Sequence, residues 1–103
     1  MAKKKIIYCF DVDGTICNDT FGKYKKAIPF PDRIKKVNKL YDEGHTIIYL
    51  TARGNTTGIN WTKLTKKQFK EWGVKYHKLL FQKIHAHVFV DNLGVNADVF
   101  FSK

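Results

Sequence analysis

The stretch Phe10-Asp11-Val12-Asp13-Gly14-Thr15-Ile16-Cys17 sets two aspartates one residue apart, with a glycine and a threonine directly behind them. Before it, Lys5-Ile6-Ile7-Tyr8-Cys9-Phe10 is too short for a helix and rich in β-branched and aromatic residues, which predicts a buried strand ending on Asp11. Gly14 lets the chain turn away without a side chain in front of the carboxylates, and Thr15 can tie the turn. The chain has only 9 Asp and Glu against 19 Lys and Arg, so two acids side by side at a strand end ask for a chemical reason.

Downstream the pattern repeats. Thr46-Ile47-Ile48-Tyr49-Leu50 reads as a second buried strand, ending on Thr51 and followed by Ala52-Arg53-Gly54. Between the two strands, Pro29 and Pro31 announce a helix from Asp32, whose apolar residues Ile34, Val37, Leu40 and Tyr41 recur at helical spacing until Gly44. Thr65-Lys66-Lys67-Gln68 reads as a capping box opening a second helix through Phe69 and Trp72, closed by Gly73. Tyr76 to Phe81 predicts a third strand, and Val88-Phe89-Val90 a fourth that ends on Asp91-Asn92.

Strands alternating with helices imply an α/β fold, a Rossmann-like three-layer sandwich with a mainly parallel sheet, spanning residues 1–103 as one domain. In such sheets ligands sit beyond the carboxyl ends of the strands. Asp11, Asp13, Thr51, Arg53, Asp91 and Asn92 all fall at those predicted ends.

Three carboxylates on one sheet edge repel one another unless a cation intervenes. Oxygen donors of this kind suit Mg²⁺, which binds one or two carboxylates together with water and phosphate oxygens. Asp11 is then placed to attack phosphorus, while Asp13 protonates the leaving oxygen and later deprotonates water. Thr51 supplies a hydroxyl donor and a lysine completes the charge neutralisation.

These residues also resemble a known family. FDVDGT, IIYLTAR, a later lysine and VFVDN are similar to the four motifs of the haloacid dehalogenase (HAD) superfamily of aspartyl-nucleophile phosphohydrolases, over about Ile6 to Asn92. The resemblance implies a Mg²⁺-dependent phosphatase with Asp11 as nucleophile and metal ligand. It makes Asp13 the acid/base, with its backbone carbonyl on the metal, and Thr51 the phosphate-binding hydroxyl. Gly14, Ala52, Arg53 and Lys83 join Thr51 in holding substrate, and Asp91 and Asn92 complete the metal set, with the direct ligand of these two left open. Where small capless relatives read Gly-Lys-Pro, this chain has Gln82-Lys83-Ile84, so Lys83 is the motif lysine of choice and Lys78 the runner-up. The short spans between motifs leave no room for a cap domain, which implies a minimal HAD core with an open site.

With a formal net charge of +10 and a pI near 9.7, the chain attracts phosphates and nucleic acid. Expected substrates are a nucleotide, a nucleic-acid end or a sugar phosphate. The alternative reading is a non-catalytic nucleic-acid-binding module using the lysine face Lys63, Lys66, Lys67 and Lys70. His45 and His77 read as ordinary surface or edge residues. No apolar run reaches the roughly 20 residues of a membrane span, no signal peptide is evident, and the two cysteines match no disulfide framework. The expectation is a cytoplasmic protein, monomer or weak dimer, with no membrane partner.

Overall fold

Two-residue alternation decides which side of each strand is buried. In the computed structural model, which describes residues 4–102, β1 (Ile7–Phe10), β2 (Thr46–Leu50) and β3 (Lys78–Leu80) form a parallel sheet in the order β1-β2-β3. The register pairs Tyr8 with Ile47, Phe10 with Tyr49, and Tyr49 with Leu79, so these side chains share one face. Ile47 and Tyr49 are completely buried there. The reverse face carries Ile7, Cys9, Ile48 and Leu80 and is far more open, with Ile7 72% exposed. The architecture is a small α/β sandwich of Rossmann-like type.

Helix α1 (Pro31–Asp42) starts on a proline, whose missing N–H lies among the donors that have no partner in a first turn anyway. It buries Ile34 and Val37 in the core and ends at Gly44. Helix α2 (Thr62–Trp72) sets Phe69 edge-on to Tyr49 at 5.0 Å and is closed by Gly73 in the left-handed conformation, φ 70°. A short α3 (Ala97–Phe101), capped by Asn96, lays Phe100 and Phe101 on Phe10 at 5.5 and 6.1 Å. Arg33 of α1 holds this last element through Asp98 at 2.8 Å.

Three expectations are corrected. Helix α2 begins at Thr62, one turn before the Thr65-Gln68 pair, and Asn60 Oδ1 accepts the Thr62 N–H at 2.9 Å. Thr65 and Gln68 are therefore inside the helix, and their three-residue spacing puts both on its buried face. Val88-Phe89-Val90 is no strand: it lies in irregular chain, 74%, 52% and 91% exposed. A run of three β-formers becomes a strand only where a neighbour accepts its ladder, and intrinsic preference alone does not supply one. His45 is buried and accepts the Ile6 N–H at 3.0 Å through Nδ1. His77 is exposed beside the edge strand β3, as expected of a surface or edge residue, and there it accepts the Ile47 N–H at 3.0 Å and stacks on Tyr41.

Candidate active site

Directly after β1 the chain makes a tight turn. The N–H groups of Thr15 and Ile16 both reach the Val12 carbonyl, and the Gly14 N–H donates to the Cys17 carbonyl at 2.8 Å. Gly14 takes φ 81°, and a Cβ there would meet nothing within 4 Å, so the backbone angle is what requires glycine. This turn presents Asp11 and Asp13 at the carboxyl end of the sheet.

Asp11 is partly exposed, and Lys83 Nζ stands 3.3 Å from its Oδ2. Burial raises the affinity of this carboxyl for a proton above its ordinary value, and the Lys83 charge opposes that effect in part. Lys83 itself is fastened by its backbone: its N–H donates to the Thr51 carbonyl at 3.3 Å, and the Asn55 amide donates to its own carbonyl. Of the two candidate lysines, Lys83 is the one at Asp11, while Lys78 is exposed at the start of β3.

Thr51 follows β2 and is 1% exposed. Its hydroxyl accepts the Arg53 N–H at 3.1 Å, which leaves the hydroxyl proton as a donor. Ala52, the next residue, lines a small cavity together with Tyr24, Ile59 and Trp61.

Arg53 corrects an expectation. Read as a substrate contact, it points inward, its side chain fully buried, and grips Asp13 in a bidentate pair: Nε to Oδ2 at 2.9 Å and Nη2 to Oδ1 at 2.8 Å. Its Nη1 donates to Thr65 Oγ1 at 3.0 Å and Gln68 Oε1 at 2.7 Å, and the guanidinium lies over the Tyr24 ring at 4.7 Å. Cys17 Sγ, also beside Asp13, is a buried thiol pushed up to about 12 by burial and the nearby aspartate. Tyr24, Thr65 and Gln68 were not singled out from sequence as site residues. The one available signal, the spacing of Thr65 and Gln68, reads equally well as a helix cap.

The structure brings together Asp11, Asp13, Thr51, Arg53 and Lys83. It does not add Asp91 and Asn92, which are exposed, with Asp91 Oδ1 taken by the N–H groups of Leu93 and Gly94. These bonds hold the Asp91 carboxyl below the usual carboxylate range. Among the described residues no group of three or more His, Cys, Asp or Glu side chains gathers. The donor set fits Mg²⁺ only in its sparse form, with the half-open Asp11 carboxylate as the protein charge and water and phosphate filling the rest. A surface depression of about 810 Å³ runs along α1 and Trp72 and includes neither Asp11 nor Asp13 in its lining.

Among the described residues no helix is long and apolar enough to cross a membrane. No protein-family model matches the chain. Its fold is similar to a crystal structure of a target protein from Vibrio cholerae, with a TM-score of 0.81 and 21% identity over 97% of this chain and 89% of that one. At this identity the likeness establishes the α/β architecture, and roles rest on the residues themselves.

Proposed function

We propose that this chain is a Mg²⁺-dependent phosphomonoesterase of the HAD type, working through an aspartyl-phosphate on Asp11. The observation that carries the reading is the grouping at the sheet edge: Asp11 with Lys83 Nζ at 3.3 Å, and Thr51 held beside them by the Lys83 backbone. An Asp11 oxygen bonds to phosphorus as the ester P–O bond breaks, and Asp13 gives a proton to the leaving oxygen. Water then attacks phosphorus, Asp13 takes its proton, and the Asp11–phosphorus bond opens to release phosphate. Lys83 and the Thr51 hydroxyl balance the charge on the transferring group. Asp11 and the Asp13 backbone carbonyl would hold Mg²⁺, which when bound would add to the neutralisation of the phosphate charge. Asp13 reaches the leaving oxygen by rotating off Arg53, since both its oxygens face the guanidinium in the observed rotamer.

The test is phosphate release from an aryl phosphate by the purified protein, with Mg²⁺ and with excess chelator. Turnover with Mg²⁺, lost on chelation, together with trapping of the acyl phosphate by hydroxylamine, is the expected result. No release from a broad panel of phosphate esters by folded, Mg²⁺-supplied protein removes this reading.

One observation favours a second reading. Lys63, Lys66, Lys67 and Lys70 are all exposed on α2 and fall on one stripe of that helix. A nucleic-acid-binding module using this stripe loses affinity steeply with salt, by a slope of about −0.9 per phosphate contacted, whatever stands at position 11. Measuring oligonucleotide affinity against salt separates the two readings.

A further inference from the structure

A cavity of about 120 Å³ has Ala52, the residue after Thr51, in its lining, and does not include Asp11, Asp13, Thr51 or Lys83 themselves. Its lining also includes Tyr24, Ile59 and Trp61 together with Thr56 and Thr57, and the Thr57 hydroxyl accepts the Ile59 N–H at 3.3 Å. Its walls are held from behind. Trp61 meets Tyr24 edge-on at 5.0 Å, and the Tyr24 carbonyl accepts from Gln68 Nε2 at 2.6 Å. Gly54 makes the cavity's shape specific. Its φ is +86°, and a Cβ there would lie 2.2 Å from the Ile59 carbonyl oxygen and 3.3 Å from Trp61 Cδ1, so only glycine lets the Ile59–Trp61 segment close down here.

Size decides what fits. Sites for drug-sized ligands run to about 300–1,000 Å³, whereas an apolar cavity of about 150 Å³ holds benzene. A space of about 120 Å³ accepts one six-membered ring and is too small for a base together with its ribose. Aromatic walls suit a ring with an apolar face, and threonine hydroxyls suit a ring that carries polar substituents at its edge.

We infer that this cavity is the leaving-group subsite, and that it selects phosphate monoesters of a single six-membered ring with an apolar face, aryl or pyranose. The inference rests on the phosphatase reading above. Arg53 links the two parts: its guanidinium packs on the Tyr24 ring of the wall and binds both oxygens of Asp13. One side chain thus sets the subsite wall relative to the carboxylate that serves the leaving oxygen.

The test measures binding separately from turnover. Calorimetry on Asp11→Asn protein compares phenyl phosphate, a hexopyranose phosphate, a nucleoside monophosphate and inorganic phosphate. Turnover by the unaltered protein is measured on the three esters and on ringless acetyl phosphate. The single-ring esters are expected to bind about 10-fold tighter than inorganic phosphate, and the nucleotide no tighter than phosphate. The ratio of phenyl phosphate to inorganic phosphate affinity falls about 10-fold on adding Trp61→Ala, the value of one aromatic contact, and less on adding Ile59→Ala at its exposed neighbour. The phenyl and pyranose arms tell which ring is preferred. Equal affinity for ring and ringless ligands, or a ratio unmoved by both substitutions, overturns the subsite even if acetyl phosphate is hydrolysed. Ring binding that responds to Trp61→Ala without turnover of any compound overturns the phosphatase reading, and the leaving-group role with it.

Discussion

Under the phosphatase proposal, Asp11→Asn is expected to lower kcat for phosphate release by on the order of 10³ or more, because an amide cannot form the bond to phosphorus that the proposal assigns to the carboxylate oxygen. The substitution is nearly isosteric and leaves the turn after β1 intact: an amide oxygen still accepts the Val12 N–H, which now reaches Asp11 Oδ1 at 2.9 Å. Its stability follows from the direction of the Asp11 shift. Burial raises this carboxyl's folded-state pKa above its ordinary value. A group shifted that way supports folding below its unfolded pKa and loses that support as pH rises through the folded value, so at pH 7 the ionised carboxylate opposes folding. Asparagine carries no such charge. The variant is expected to melt no lower than the parent at pH 7, with any advantage shrinking toward pH 4. Turnover assays beside thermal melts at both pH values check this, and undiminished turnover in folded Asp11→Asn protein rules out Asp11 as the nucleophile.

Arg53→Ala is expected to cost the most stability. The fully buried guanidinium satisfies Asp13, Thr65 and Gln68 together. Removing one partner of a buried ion pair costs about 3–5 kcal/mol; Asp13 retains some exposure, so the lower end, about 3, applies. At about 4–8 °C per kcal/mol for a domain near this size, the melting temperature falls by roughly 12–24 °C. Arg53→Lys recovers only part of this, because an ammonium cannot make the bidentate grip. Combining Arg53→Ala with Asp13→Asn separates pair from packing: the double variant loses less than the sum of the single losses. An Arg53→Ala protein that melts with the parent refutes the assigned role.

Much of the site was legible from residue order. Asp11, Asp13 and Thr51 follow short β-branched runs, and a parallel sheet carries such strand ends to one edge, so their convergence needed no coordinates. The role of Arg53 was not legible in this way. A charged residue beside a predicted phosphate site reads as a substrate contact, and only the arrival of Thr65, Gln68 and Tyr24 from other elements turns it inward. The Thr65-Gln68 pair shows the ambiguity in small form, since one spacing serves a helix cap and a buried helical stripe alike.

By itself the sequence determined the elements whose causes are local: helices α1 and α2 with their proline start and glycine stops, the strands β1 to β3, and the acidic turn after Phe10. Only the tertiary structure decided what depends on partners distant in the chain. It withheld a strand from Val88–Val90, which finds no ladder, turned His45 and His77 into acceptors for strand amides, and made Arg53 the clamp on Asp13. Local patterns set backbone preference, but hydrogen-bond partners and burial are properties of the assembled chain, and those properties define the site.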